Sequence, residues 1–156
     1  MDNPTHPEHP PHAHVAGALT PDQTAALVAA ALAAQERAYA PYSRFAVGAA
    51  VYTASGQIFL GGNIENAAYP LTICAERVAL FSAYAANQRE IVAIAVVTPT
   101  PSYASPCGAC RQVLLELAPH STVLLLNQAG DYRRTTPQEL LPNGFGATDL
   151  DRARDG

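Results

Sequence analysis

Apolar and polar positions change their spacing from block to block along this chain, and each change marks an element. Residues 20–39 (TPDQTAALVAAALAAQERAY) are rich in Ala and Leu. They open on a cap residue, a proline at the first helical position and an acid in the first turn. The pattern predicts a helix from Thr20 to about Tyr39, stopped by Pro41. Residues 46–54 read as a strand, Ser55-Gly56 as a turn and residues 57–63 as the returning strand. The loop NIENAAYPLT follows, and Cys74 opens a helix that runs to about Ala86. Residues 91–98 (IVAIAVVT) form a near-continuous apolar run, the mark of a strand covered on both faces. After the proline-bearing loop PTPSYAS comes a helix over 107–118, then a buried strand over 122–127 (TVLLLN). Gly130-Asp131 turns the chain into an antiparallel partner at 132–136, and 137–141 reads as a short helix. Strand and helix alternate through the middle of the chain, which predicts an α/β fold with a parallel sheet core made mixed by flanking hairpins.

Composition narrows the class. At 156 residues, one domain is expected, and a chain of this length buries about two thirds of its unfolded surface. No apolar run approaches the length of a membrane span. The N-terminus MDNPTHPEHPPHAHV has no basic patch ahead of a greasy core, so it is not read as a secretory signal. Residues 1–18 are expected to be a flexible tail, in which His6, His9, His12 and His14 could hold metal loosely. The folded domain is expected over 19–150 and a second flexible tail over 151–156. The net charge is −4, with no Lys/Arg cluster, which argues against a nucleic-acid partner.

The cysteines carry the chemistry. There are three, an odd number without a secretion signal, which points to metal or catalytic use in a reducing cytoplasm. Cys107 and Cys110 form a C-x-x-C pair, and Cys74 lies 33 residues earlier. Three thiolates around Zn²⁺ leave one tetrahedral position open, the signature of a catalytic rather than a structural site. His120, the only histidine outside the tail, is badly placed as a fourth ligand. Both cysteine segments fall at predicted helix N-termini, where free N–H groups and the dipole favour thiolate. Three thiolates also leave the site with net negative charge, which weakens the metal as a Lewis acid. Arg77, three residues after Cys74, and Arg111, beside Cys110, are expected to offset it. Glu76 is a candidate proton carrier. A regular helix would point it away from Cys74, so it serves only if the two lie at an irregular helix start.

These motifs resemble a known family. Zinc deaminases carry a His- or Cys-x-Glu followed by Pro-Cys-x-x-Cys, as in Cys74-Ala75-Glu76 with Pro106-Cys107-Gly108-Ala109-Cys110. Residues 20–150 are similar to the small, homotetrameric cytidine deaminases of pyrimidine salvage. The likeness extends through Ala40-Pro41-Tyr42-Ser43-Arg44-Phe45, Asn63-Ile64-Glu65-Asn66-Ala67-Ala68-Tyr69-Pro70 and Leu140-Leu141-Pro142-Asn143-Gly144-Phe145. It implies a three-layer α/β/α fold with a five-stranded mixed sheet. It also implies one zinc per subunit on Cys74, Cys107 and Cys110, with Glu76 as catalytic proton shuttle while a zinc-activated water attacks C4 of cytidine or 2′-deoxycytidine. Asn63 and Glu65 would bind ribose hydroxyls. Phe45, Tyr69 and the backbone of Ala75 and Ser105 would contact the nucleoside. Phe145 would reach a neighbouring subunit's site, and Arg77 would hydrogen-bond a zinc thiolate. A cytoplasmic homotetramer is expected, with a small pyrimidine nucleoside as partner and neither nucleic acid nor membrane. Two positions depart from the family pattern: Ala46 stands where proline is frequent, and Thr72 where glycine is common.

Other readings are weaker. A deaminase of a nucleoside antibiotic would lack the Asn-x-Glu-Asn block and the arginine after Cys-Ala-Glu. A nucleic-acid editor would use histidine as its first ligand and carry a basic groove. A non-catalytic zinc-stabilised oligomer would have no use for Glu76.

Overall fold

Residues 19–154 are described by the computed structural model. Helix α1 (Pro21–Gln35) begins as its sequence demands: Thr20 accepts from Gln23 N, and the Gln23 side chain accepts in return from the Thr20 amide. This reciprocal cap satisfies two otherwise orphaned N–H groups. The helix stops four residues short of Tyr39 because that residue leaves to exchange backbone bonds with Asn63 and Glu65. The hairpin β1 (Gly48–Thr53) and β2 (Ile58–Gly62) follows. Next come α2 (Ala75–Ala85), β3 (Ile91–Val97), α3 (Gly108–Leu117), β4 (Thr122–Leu126), β5 (Tyr132–Thr135) and α4 (Pro137–Leu140). A last helix, α5 (Ala147–Arg154), crosses the position where the sequence reading ends the domain and begins a tail. It is too polar to announce itself by an apolar stripe.

The five strands form one mixed sheet in the order β2-β1-β3-β4-β5. Strands β3 and β4 are the one adjacent parallel pair; the other neighbours run antiparallel. The expected parallel core is therefore narrower than the alternation implied. Strands β2, β3 and β4 do point the same way, but β1 is inserted between β2 and β3.

Each face of the sheet has its own core. Leu27 and Ala31 of α1 pack on Ala50, Ala93, Ala95, Val97, Leu124 and Leu126. Helices α2 and α3 cover the other face through Ala79, Leu80, Ala83 and Leu114 against Val51, Ile94, Val96 and Leu125. The result is three layers, α/β/α. Small residues let the layers close: a methyl group on Gly61 would collide with the backbone of Ala75 and Ala79, so α2 lies directly on β2. No helix among the described residues is long and apolar enough to cross a membrane.

Candidate functional site

Two crossovers leave the same end of the sheet. One runs from the carboxyl end of β2 into α2, the other from the carboxyl end of β3 into α3. In open α/β sheets such ends are where ligands bind. Here the first crossover delivers Cys74 and the second Cys107 and Cys110. The three Sγ atoms lie within 4.8 Å of one another. Cys74 Sγ and Cys107 Sγ are 3.8 Å apart, well beyond the ~2.05 Å of a disulfide. Tetrahedral Zn–S bonds of about 2.3 Å would set sulfurs about 3.8 Å apart, so the trio fits a zinc ion by spacing and by donor chemistry. Among the described residues this is the one cluster of its kind.

The backbone explains the spacing that looked awkward in sequence. Cys74 is the N-cap of α2 with extended backbone (φ −76°, ψ 151°), and Cys107 caps α3 in the same way (φ −63°, ψ 164°). Neither side chain caps its helix, and both cysteines sit at a positive helix end, which favours thiolate. Because Cys74 lies outside the helix and Glu76 in its first turn, the irregular start that Glu76 needs is present. Glu76 is buried, 5% exposed, and lines the same cavity as Cys74 and Cys107.

Electrostatics follow from this crowding. Hydrogen bonding with Cys110, aided by Arg77 and Cys107, pulls the Cys74 thiol down to about 5. Cys110 is pushed the other way, first by its bond to Cys74 and then by burial. The pair thus leans toward a thiolate at Cys74 and a thiol at Cys110 until a cation claims the sulfurs. Burial raises the Glu76 carboxyl above its ordinary value, which suits a group that must both accept and release a proton. Arg77 Nη2 donates to Cys74 Sγ at 3.4 Å. Arg111 behaves differently from expectation: its Nε donates to Pro106 O at 2.7 Å and its Nη1 to Leu140 O at 3.1 Å. Its bonds run to carbonyls that need a donor, not to sulfur, so Arg77 alone of the two arginines is seen to neutralise thiolate.

The cavity beside the sulfurs holds about 480 Å³, within the range of small-ligand sites. Phe45, Asn63, Ala75 and Ser105 all line it. Asn63 is buried and half committed: its Oδ1 accepts from Val47 N (2.8 Å) and its Nδ2 donates to Phe45 O (2.9 Å). One N–H and one lone pair remain, and the bonds already made fix the backbone on either side of Ala46. Glu65 and Tyr69 line a neighbouring cavity of about 390 Å³ that shares Ser43 and Thr72 with the first. Glu65 Oε2 accepts from Tyr42 N (2.8 Å) and Ser43 N (3.2 Å). Bonding to Ser43 first, then to the Tyr42 amide, holds its carboxyl below the usual range and keeps it charged. Phe145 is 58% exposed and does not line its own chain's cavity. Its carbonyl accepts from Gln112 Nε2 at 2.8 Å. The role of Val47, Val96 and Thr98 as cavity walls was not foreseen. They read as plain strand residues until the sheet order brings the carboxyl ends of β2 and β3 to either side of the start of β1.

The comparisons with known proteins agree with this geometry. A family model described as the cytidine and deoxycytidylate deaminase zinc-binding region matches residues 21–126. A cytidine deaminase of Halalkalibacterium halodurans is 54% identical over 125 residues, covering 80% of this chain and 95% of its own. One from Sporosarcina psychrophila is 48% identical over 128 residues, covering 81% and 94%. Among solved structures, a cytidine deaminase from Burkholderia pseudomallei aligns with a TM-score of 0.76 at 54% identity, over 81% of this chain and 100% of that one. One from Mycobacterium tuberculosis aligns with a TM-score of 0.68 at 38% identity, over 78% and 96%.

Proposed function

The chain belongs to the cytidine and deoxycytidylate deaminase family, and from that premise we propose that it hydrolyses cytidine and 2′-deoxycytidine to uridine and 2′-deoxyuridine, releasing ammonia. The observation that carries this reading is the meeting of three sulfurs and one buried carboxyl at a single cavity. Cys74, Cys107 and Cys110 hold the zinc, which when bound supplies the Lewis acidity that lets water act as a nucleophile near neutral pH. Glu76 takes a proton from that water and gives it to the ring N3, then moves another to the departing 4-amino nitrogen. A C4–O bond forms and the C4–N4 bond breaks; one proton of the water stays on N3 of the product and the other leaves in ammonia. Phe45 packs against the base, and the Ala75 and Ser105 backbone reads its edge. Asn63, through its spare N–H, and Glu65 bind the sugar hydroxyls, with Tyr69 at the sugar end. Arg77 tempers the sulfur charge.

The working unit is a homotetramer in the cytoplasm, serving pyrimidine salvage, with Phe145 completing the site of a neighbouring copy. The exposure of Phe145 and its absence from the lining of its own chain's cavity support that arrangement. So does the apolar surface of Tyr39, Tyr42, Tyr69 and Leu71, all of them exposed. Absorbance loss on cytidine, with ammonia and metal measured on the same sample, tests the reaction. Glu76→Gln is expected to keep its zinc and lose turnover by about 10²–10⁴-fold. Turnover near the parent level in that variant would show that Glu76 is not the proton carrier.

A further inference from the structure

Thr72 stands between the two cavities. It and Ser43 are the residues common to both. Ser43 is already occupied: its Oγ accepts from Phe45 N at 3.0 Å, and its side chain also bonds Glu65. Thr72 Oγ1 accepts from Asn66 N at 3.1 Å, and its own proton finds no acceptor among the described residues. The cavity therefore meets a free O–H donor at Thr72. The same cavity meets a charged acceptor at Glu65, whose Oε1 takes neither of the amides bound by Oε2. An alcohol is at once donor and acceptor. One sugar hydroxyl within reach of both would donate to the Glu65 carboxylate and accept from Thr72 Oγ1.

The geometry points to Thr72 as a specificity-determining residue that, paired with Glu65, clamps a hydroxyl of the sugar and so selects ribosyl substrates over those with the sugar stripped of hydroxyls. This deepens the nucleoside reading above and rests on it. Its energetic basis is that a site built to hydrogen-bond a hydroxyl is left with unpaired polar groups when the hydroxyl is missing.

The test compares kcat/KM for cytidine and 2′,3′-dideoxycytidine in the zinc-loaded enzyme and in Thr72→Val and Thr72→Ser. Thr72→Val keeps the shape and removes the hydroxyl. The preference for cytidine is expected to fall about tenfold, carried by KM with kcat little changed, and Thr72→Ser is expected to restore it. If Thr72→Val yields no folded protein, Thr72→Ala is read by the same ratio. A role confined to holding the loop through Asn66 N would lower both substrates alike. That result, or an unchanged ratio, overturns the clamp while leaving the deaminase reading intact. A parent enzyme that turns over neither substrate overturns both.

Discussion

At the scale of single residues, the proposed sugar contacts fall on side chains whose bonding to the protein is only partly used. Asn63 commits one donor and one acceptor to the backbone of Phe45 and Val47, and keeps one of each. Glu65 gives one oxygen to two amides and its carboxylate also meets the Ser43 side chain. Such groups are placed by the protein before a ligand arrives, so little ordering remains to be done on binding. Arg77 is the exception, since its Nη2 is committed to Cys74 and its buried Nε has no partner. Arg77→Ala is expected to cost about tenfold or more in kcat/KM, the usual scale for partners of metal ligands. The sign of its pH effect follows from charge. Without the guanidinium the sulfurs are more electron-rich, the metal is a weaker acid, and the pH–activity profile moves to higher pH. Activity measured across the range from mildly acid to mildly alkaline on zinc-matched samples checks this, and an unmoved profile would contradict the electrostatic role. The residue types at this site were legible in the sequence because Cys-x-Glu and Pro-Cys-x-x-Cys are local motifs. The partners of Arg111 were not, because its two carbonyl acceptors lie on the α3 approach and on α4, and only folding brings those together.

Elements are joined by contacts that leave little slack. Gly61 lets α2 rest on β2, so Gly61→Ala must push away the helix whose N-cap is Cys74. That variant is expected to lose about 1–3 kcal/mol, the cost of overpacking, and to bind zinc more weakly, as melting curves and metal content would record. Helices α2 and α3 are also tied by Tyr84, whose hydroxyl donates to Leu117 O at 2.7 Å. Burial raises the Tyr84 pKa above its ordinary value of about 10. Its contribution is therefore whole below about pH 10 and is lost as pH climbs through the folded-state value. Tyr84→Phe is expected to cost about 1 kcal/mol at neutral pH and to flatten the loss of Tm in the alkaline range. A parent-like alkaline slope in the variant would refute the account. The start of α1 was readable from its cap: Thr20 closes a capping box, as Thr136 is found to do before α4. Element ends and α5 were harder, because they depend on which strand or loop recruits the chain next.

For the molecule as a whole, the apolar pattern carried the five strands and the family resemblance the three layers, while the strand order was read from neither. Alternating strands and helices imply crossovers; nothing local says that the β1 hairpin arm slides between β2 and β3. That insertion sets Val47, at the start of β1, beside the open ends of its neighbours and so shapes the cavity. If copies complete one another, Phe145→Ala is expected to leave zinc per chain unchanged and to raise KM for cytidine by about tenfold or more, with light scattering giving the same assembly size as the parent. A variant with parent-like KM would place Phe145 outside the reaction.

The sulfur cradle hangs from two crossovers separated by β1. A chain that has not yet zipped β1 to β3 offers the metal only the neighbouring pair Cys107 and Cys110, a poor chelate. An ion held by all three sulfurs would bridge both crossovers and so guard the finished protein against coming apart.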